Sequence, residues 1–281
     1  MKLLRYGPKG QEKPGIVDAQ GTIRSLAGVV GDISGADISP ESLSKIAALD
    51  LSTLPEVSAS ERLGPCVGDV GKFLCIGLNY ADHAAESGAQ VPSEPEMFTK
   101  ATSSITGPND DITIPKNSSK TDWEVELAIV IGREARYISE ADADDYIAGY
   151  CVCNDVSERE FQLERGVQWD KGKGCDTFGP IGPWLVTKDE VGDPTNLSMW
   201  LEVNGHRYQN GNTNTMVFKP AAIVSYLSQF MSLQPGDVIS TGTPPGVGLG
   251  QKPPVYLKHG DKVELGIEGL GQQSQTFVDY Q

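Results

Sequence analysis

The run Trp123-Glu124-Val125-Glu126-Leu127-Ala128-Ile129-Val130-Ile131, closed by Gly132, constrains the fold more than any other stretch of this chain. It is β-branched, apolar and ended by a glycine, the pattern of a strand. Period two puts Trp123, Val125, Leu127, Ile129 and Ile131 on one face. Glu124 and Glu126 share the other face, followed there by Ala128 and Val130. Two carboxylates therefore stand side by side, roughly 7 Å apart at Cα, on a strand that becomes apolar on both faces. Unpaired, they repel each other and lose hydration, and a divalent cation reverses both costs. The plain alternative is a strand end whose glutamates reach water.

Further chemistry lies on either side of this run. Residues 147–153 form another apolar strand that leads into Asn154-Asp155-Val156-Ser157-Glu158-Arg159-Glu160-Phe161-Gln162. Read as a strand running into a helix, this junction presents Asp155 at a sheet edge. Asp155, Arg159 and Gln162, at i, i+4 and i+7, then lie along one helix face. An acid, a guanidinium and an amide in a row suit a cation followed by an anionic, oxygen-rich ligand, whereas the alternative is an ordinary Asp–Arg helix pair. Upstream, the apolar strand 72–77 precedes an Ala-rich helical stretch, 78–88, on which His83 and Glu86 share a face. A carboxylate beside an imidazole raises its basicity and fixes its tautomer, as a general base requires. The same pair also reads as a solvated surface contact. The polar residues 89–95 after it, with two prolines, suggest a mobile lid. Glycines around Lys171 and Lys173 permit close approach of the backbone to a ligand, and one lysine supplies positive charge.

The segment 234–250 is a strand running into a Gly/Pro loop. It lacks the Lys-Ser/Thr of a P-loop and the spacing of a dinucleotide fingerprint, which excludes nucleotide binding there. Thr241 or Thr243 offers a hydroxyl and backbone N–H groups to a carboxylate instead. Residues 1–68 read as a small leading α+β domain, with a helix opened by Ser39-Pro40-Glu41. Residues 69–281 form the β-rich remainder. The net charge of −15 repels phosphate backbones and anionic membranes, so neither nucleic acid nor a membrane is an expected partner. Five cysteines without a C-x-x-C pair argue against a disulfide framework or a zinc knuckle. No apolar signal core opens the chain and no run approaches a membrane span, so the expected compartment is a reducing cytoplasm.

Taken in order, Gly77-Leu78-Asn79-Tyr80-Ala81-Asp82-His83, Trp123-Glu124-Val125-Glu126-Leu127, residues 154–162, residues 173–183 and Ser240-Thr241-Gly242-Thr243-Pro244 resemble the fumarylacetoacetate hydrolase family. Each motif is weak alone, but the ordered set is specific and covers roughly residues 70 to 281. The resemblance implies an α+β, strand-rich fold, a mixed β-sandwich roll with a small N-terminal domain, usually in a homodimer. It implies Mg²⁺ or Mn²⁺ on Glu124, Glu126 and Asp155, an oxygen-only set that suits a hard cation. It implies His83 with Glu86 as a catalytic dyad on a lid helix and Lys173 as the active-site lysine. Arg159, Gln162, Thr243, Tyr80 and Lys100 match positions that contact substrate. The implied reaction is metal-dependent hydrolysis of a carbon–carbon bond in a small anionic 2-oxo acid. The pattern is most similar to bacterial enzymes of 2,4-diketo-3-deoxy sugar acids, which release pyruvate. Ureidoglycolate cleavage, isomerisation and decarboxylation use the same kind of site and stay open, as does a non-enzymatic cation site.

Overall fold

In the computed structural model, which describes residues 1–82 and 91–281, the glutamate run forms strand β9 (Val125–Ile131) inside a ten-stranded sheet. From one edge the order is β3 (Ile23–Ser25), β2 (Lys13–Val17), β1 (Lys2–Tyr6), β12 (Gly179–Thr187), β10 (Ile147–Asn154), β9, β15 (Val238–Ser240), β4 (Phe73–Gly77) and β5 (Glu96–Lys100). A short strand, β6 (Ile105–Thr106), pairs in parallel with β12. Along the main path only β15 and β4 are parallel neighbours. The second sheet runs β14 (His206–Asn212), β13 (Ser198–Val203), β16 (Lys262–Ile267), β17 (Gly271–Asp279) and β7 (Ile112–Ile114). A two-stranded pair, β8 (Thr121–Asp122) with β11 (Ser157–Glu158), lies just ahead of Glu124 and just after Asp155 in sequence. The architecture is the mixed, strand-rich α+β sandwich expected from the sequence.

Strand β9 separates two cores. Trp123, Val125, Leu127, Ile129 and Ile131 enter the cluster between the sheets, with Met199, Leu201, Val263, Leu265 and Phe277. Ile223, Val224 and Leu227 of the helix Pro220–Leu227 close the same cluster. Ala128 and Val130 enter the other cluster, with Leu3, Ile16, Ile46, Phe73, Cys151 and Leu185. The period-two reading therefore holds over the whole run. Each fully buried large aliphatic side chain contributes roughly 1.5–3 kcal/mol, so the strand that carries the carboxylates is held from both sides.

Residues 1–68 extend this sheet, because β1 pairs antiparallel with β12 at Lys2↔Val186 and Leu3↔Leu185. Their helix, Pro40–Ala47, starts as its sequence dictates: Ser39 Oγ accepts from Ser42 N at 3.2 Å, Pro40 fills the first turn, and Ile46 is buried in the second core. Arg62 donates to Asp110 at 2.6 and 2.7 Å and to Glu12 at 2.9 Å, which ties the leading residues to the turn between β6 and β7.

The junction after β10 departs from expectation. No helix begins at Asp155; β10 ends at Asn154, β11 follows, and a π-helical turn spans Glu160–Glu164. Asp155 N donates to Glu124 O at 2.9 Å, and Ser157 and Glu158 pair with Asp122 and Thr121. Cross-strand pairing thus satisfies the backbone groups that a helix would have used. No described helix is long and apolar enough to cross a membrane.

Candidate active site

Glu124 and Glu126 project from the start of β9, and Asp155 follows the end of the neighbouring β10. Their carboxylate oxygens lie within 4.8 Å of one another, and all three residues are buried. Glu126 Oε2 accepts from Ser240 Oγ at 2.5 Å and from Gly242 N at 2.8 Å. Glu124 accepts from Arg159 Nη2 and from Lys173 Nζ, each at 2.7 Å. Asp155 accepts from Lys173 Nζ at 2.7 Å and, on its other oxygen, from Lys100 Nζ. Lys100 also donates to Val156 O at 3.1 Å, so it braces Asp155 rather than facing open space.

The charges do not balance by themselves. Among the described residues four buried carboxylates, Asp122, Glu124, Glu126 and Asp155, meet three buried cations, Lys100, Arg159 and Lys173. No ion pair among these residues reaches Glu126. Burial, then the nearby Asp155 and Glu124, push the Glu126 carboxyl well above the usual carboxylate range against the pull of Lys173 and Ser240. Burial works against the Lys173 ammonium too, but Asp155 and Glu124 outweigh it and hold it above the usual lysine range. A divalent ion on the triad would relieve Glu126 and turn one excess negative charge into one positive, the sign that an anionic substrate needs. The donor set is all oxygen, as Mg²⁺ or Mn²⁺ prefers. The residues fit such an ion.

Gln162 reaches the site from the π-helical turn and Arg159 from the residue just before it, with Arg159 Nη1 donating to Gln162 Oε1 at 3.0 Å. Lys173 ends the short helical turn Asp170–Lys173. Gly172 serves packing, not a ligand: a Cβ there would stand 2.4 Å from Glu158 O and 2.6 Å from Gln162 N. Thr243 lines the chamber, but its hydroxyl donates to Val125 O at 2.9 Å and accepts from Gln209 Nε2 at 2.8 Å. Thr241 Oγ1 likewise donates to Leu127 O at 2.8 Å, so both threonines fasten the Gly/Pro loop to β9. Tyr80 is buried in the core between the sheets with its hydroxyl on Met199 Sδ at 3.2 Å, and it is not part of the chamber wall. His83, Glu86 and residues 89 and 90 of the expected lid fall outside the described residues, whereas 91–95 are described, with Glu94 Oε2 accepting from the Tyr226 hydroxyl at 3.0 Å.

One organising residue carries no signal of periodicity or motif. Asp122 is fully buried and accepts from Arg159 Nε at 2.8 Å, Trp123 N at 2.8 Å, Gly248 N at 2.6 Å and Leu249 N at 3.0 Å. It aims the guanidinium and pins the Gly/Pro loop at once. Its one sequence cue is an acid at the head of a strand that is otherwise buried. Gly242 is a second hidden part, with φ +98° and only 2.9 Å between a built Cβ and Asn79 Cβ. A side chain there would displace the N–H that holds Glu126. Asn79 in turn donates to Thr241 O at 2.7 Å and Phe218 O at 3.0 Å, anchoring the chain just before residue 83.

The chamber is small, about 70 Å³, and is walled by Ile76, Gly77, Leu78, Phe98 and Trp169 beside the polar groups. Phe98 and Trp169 meet edge to face at 5.6 Å, and Lys173 Nζ stands 5.0 Å from the Phe98 ring centre. Fold and site together define a class: mixed β-sandwich proteins whose central sheet carries three buried carboxylates set for a divalent cation. The chain belongs to the fumarylacetoacetate hydrolase family, since the family profile described as Fumarylacetoacetate (FAA) hydrolase C-terminal matches residues 72–278. A candidate hydrolase of Burkholderia cenocepacia (strain HI2424) is 66% identical over 282 residues, covering 100% of both chains. The crystal structure of 2-hydroxyhepta-2,4-diene-1,7-dioate isomerase from Mycobacterium marinum is 34% identical, with a TM-score of 0.78 over 99% of this chain and 98% of that one. Maleylpyruvate hydrolase from Sphingobium sp. SYK-6, in complex with manganese(II) and pyruvate, is 28% identical with a TM-score of 0.82 over 100% of both chains. Both hydrolases and isomerases thus share this fold.

Proposed function

We propose that the protein is a divalent-metal-dependent hydrolase that cleaves a carbon–carbon bond in a 2,4-dioxo acid and releases pyruvate. The observation that carries this reading is the charge geometry: a buried carboxylate triad one cation short, with the Lys173 ammonium 2.7 Å from two of its members. The manganese and pyruvate in the Sphingobium hydrolase support it. When bound, Mg²⁺ or Mn²⁺ supplies Lewis-acid stabilisation of the negative charge that develops on the oxo-acid head. Arg159, aimed by Asp122 and Gln162, orients the anionic head and adds positive charge. Lys173 stabilises the oxyanion that forms when water attacks C4. His83, with Glu86 as its partner, takes the proton from that water; collapse of the C4 oxyanion then breaks the C3–C4 bond, and a proton delivered to C3 converts the expelled enolate into pyruvate. Phe98 and Trp169 keep bulk water from the chamber. The substrate is a small anionic 2-oxo acid, the working unit a homodimer and the setting the cytoplasm.

Isomerisation of an unsaturated oxo acid is the second reading, favoured by the Mycobacterium marinum relative. It needs the same ion and a proton shuttle but no water attack. A panel of 2,4-dioxo acids offered with Mg²⁺ or Mn²⁺, with pyruvate followed by a coupled assay, separates the two. Pyruvate release that chelation stops supports the hydrolase. Rearranged product without pyruvate supports the isomerase, and turnover untouched by chelation overturns both.

A further inference from the structure

The carboxylate chamber shares Leu78, Arg159, Gln162 and Trp169 with a second cavity of about 320 Å³. Small-molecule sites usually span ~300–1,000 Å³, so the chamber of about 70 Å³ has room for an oxo-acid head and not for a whole substrate. The rest of the molecule must lie across the shared wall. Beyond that wall the lining is Leu163, Val247, Leu249 and Gly250, with Gln251 and Lys252 as its further polar members. Gln251 Nε2 is already engaged with Val247 O at 3.2 Å. Arg159 commits three of its five N–H groups to Asp122, Glu124 and Gln162. Lys252 is exposed and makes no hydrogen bond or ion pair among the described residues. In a chain of net charge −15, an unpaired lysine on the wall of a largely apolar cavity is a specific feature.

We propose that this second cavity is the subsite for the distal arm of the substrate. It selects a linear hydrocarbon arm that ends in a carboxylate over a polyhydroxylated arm, and Lys252 reads the terminal charge. The inference rests on the oxo-acid reading of the carboxylate chamber. Each methylene taken from water into the cavity tightens binding about fourfold. Each hydroxyl buried against Leu163, Val247 and Leu249 without a partner weakens it. The exposed Lys252 adds about two- to fivefold for a carboxylate end, and less at high salt. The sugar-acid arm expected from family resemblance meets few partners here, whereas a dicarboxylic oxo acid meets a complementary surface along its length.

The test uses oxamates, in which an amide carbonyl beside the carboxylate stands in for the 2-oxo-acid head without being turned over. Calorimetry on the full chain with Mn²⁺ compares oxalate, N-propyloxamate, N-(2,3-dihydroxypropyl)oxamate and N-oxalyl-4-aminobutyrate. We expect the aminobutyrate derivative to bind tightest and the dihydroxypropyl compound weakest of the three oxamates. Lys252→Gln should remove the two- to fivefold gain from the terminal carboxylate and leave oxalate unaffected. Leu163→Ser and Leu249→Ser should each narrow the gap between propyl and dihydroxypropyl arms. If oxalate binds but the three oxamates bind alike, or the dihydroxypropyl arm binds best, the distal-arm inference is overturned alone. If oxalate shows no Mn²⁺-dependent binding, the oxo-acid reading falls and takes this inference with it. An unchanged preference in Lys252→Gln removes Lys252 from the role.

Discussion

At Glu126, burial and two neighbouring carboxylates favour the protonated form, while Ser240 Oγ and Gly242 N hold the side chain where an ion would meet it. Glu126→Gln keeps the shape and removes the charge. It should fold and yet lose divalent-ion binding, seen by calorimetry as the disappearance of Mn²⁺ heat. The thermal stabilisation that the ion confers, about 2.7 kcal/mol at a hundredfold excess over Kd, should vanish with it. The sign of the pH effect follows from the raised acid. In the metal-free protein Glu126 keeps its proton above the ordinary value of 4.5, so ion uptake releases that proton and affinity rises with pH through the elevated range. Titrations in two buffers of different ionisation enthalpy should show the release, and equal heats would refute it. His83→Ala should lose hydrolysis by ~10² or more while binding Mn²⁺ and oxalate almost normally. Near-normal turnover in that variant would return His83 and Glu86 to a surface pair. The triad was legible because alternation along one strand put Glu124 and Glu126 on the same face. Asp155 was legible as an acid at a strand end, although the helix drawn to justify it does not exist.

The elements that hold these side chains are joined by contacts far apart in sequence, and Asp122 is the clearest case. It links β8 to Arg159 and to residues 248 and 249 of the Gly/Pro loop. Asp122→Ala takes this acceptor from a buried guanidinium and from three backbone N–H groups, and should cost roughly 3–5 kcal/mol. A guanidinium displaced by an ångström should also lower kcat/KM by ~10². Hydrogen exchange should rise at residues 247–249 in this variant, and unchanged protection there would show that the loop is held by other contacts. No periodicity marks such a residue, because its partners across the fold lie 37 to 127 positions away. The hydroxyl of Thr243 shows the same limit: in a glycine-rich loop it looks wholly available until the carbonyl of Val125 is found beneath it.

On the scale of the molecule, residues 1–68 cover one side of the ten-stranded sheet and are tied down by Arg62. Burial pushes both the Asp110 and Glu12 carboxyls up, but hydrogen bonds and charge from Arg62 outweigh it and leave both below their ordinary values of 3.8 and 4.5. The stability they contribute is therefore present above about pH 4.5 and is lost as pH falls through their lowered values. Arg62→Ala should lower stability by ~1.5–3 kcal/mol at neutral pH. It should also flatten the acid limb of a melting-temperature profile, and an unaltered profile would show the contact to be idle. The sandwich itself was readable from strand runs and turn residues. That the leading strands would join the main sheet was not, since only the register of β1 on β12 reveals it.

The burial of β9 on both faces has one further consequence. A strand with a single apolar face is kept in register by that face, because a slip of one residue exposes it. Strand β9 has no such guard beyond Glu126, since its alternate faces are equally apolar and both find a core. What a slip would do is carry Glu124 and Glu126 into the cluster of Leu201, Leu265 and Phe277, where ionised carboxylates have no partners. The two acids thus proofread the pairing of the central strand, and a chain that lost both would lose its ion and its means of telling one alignment from the next.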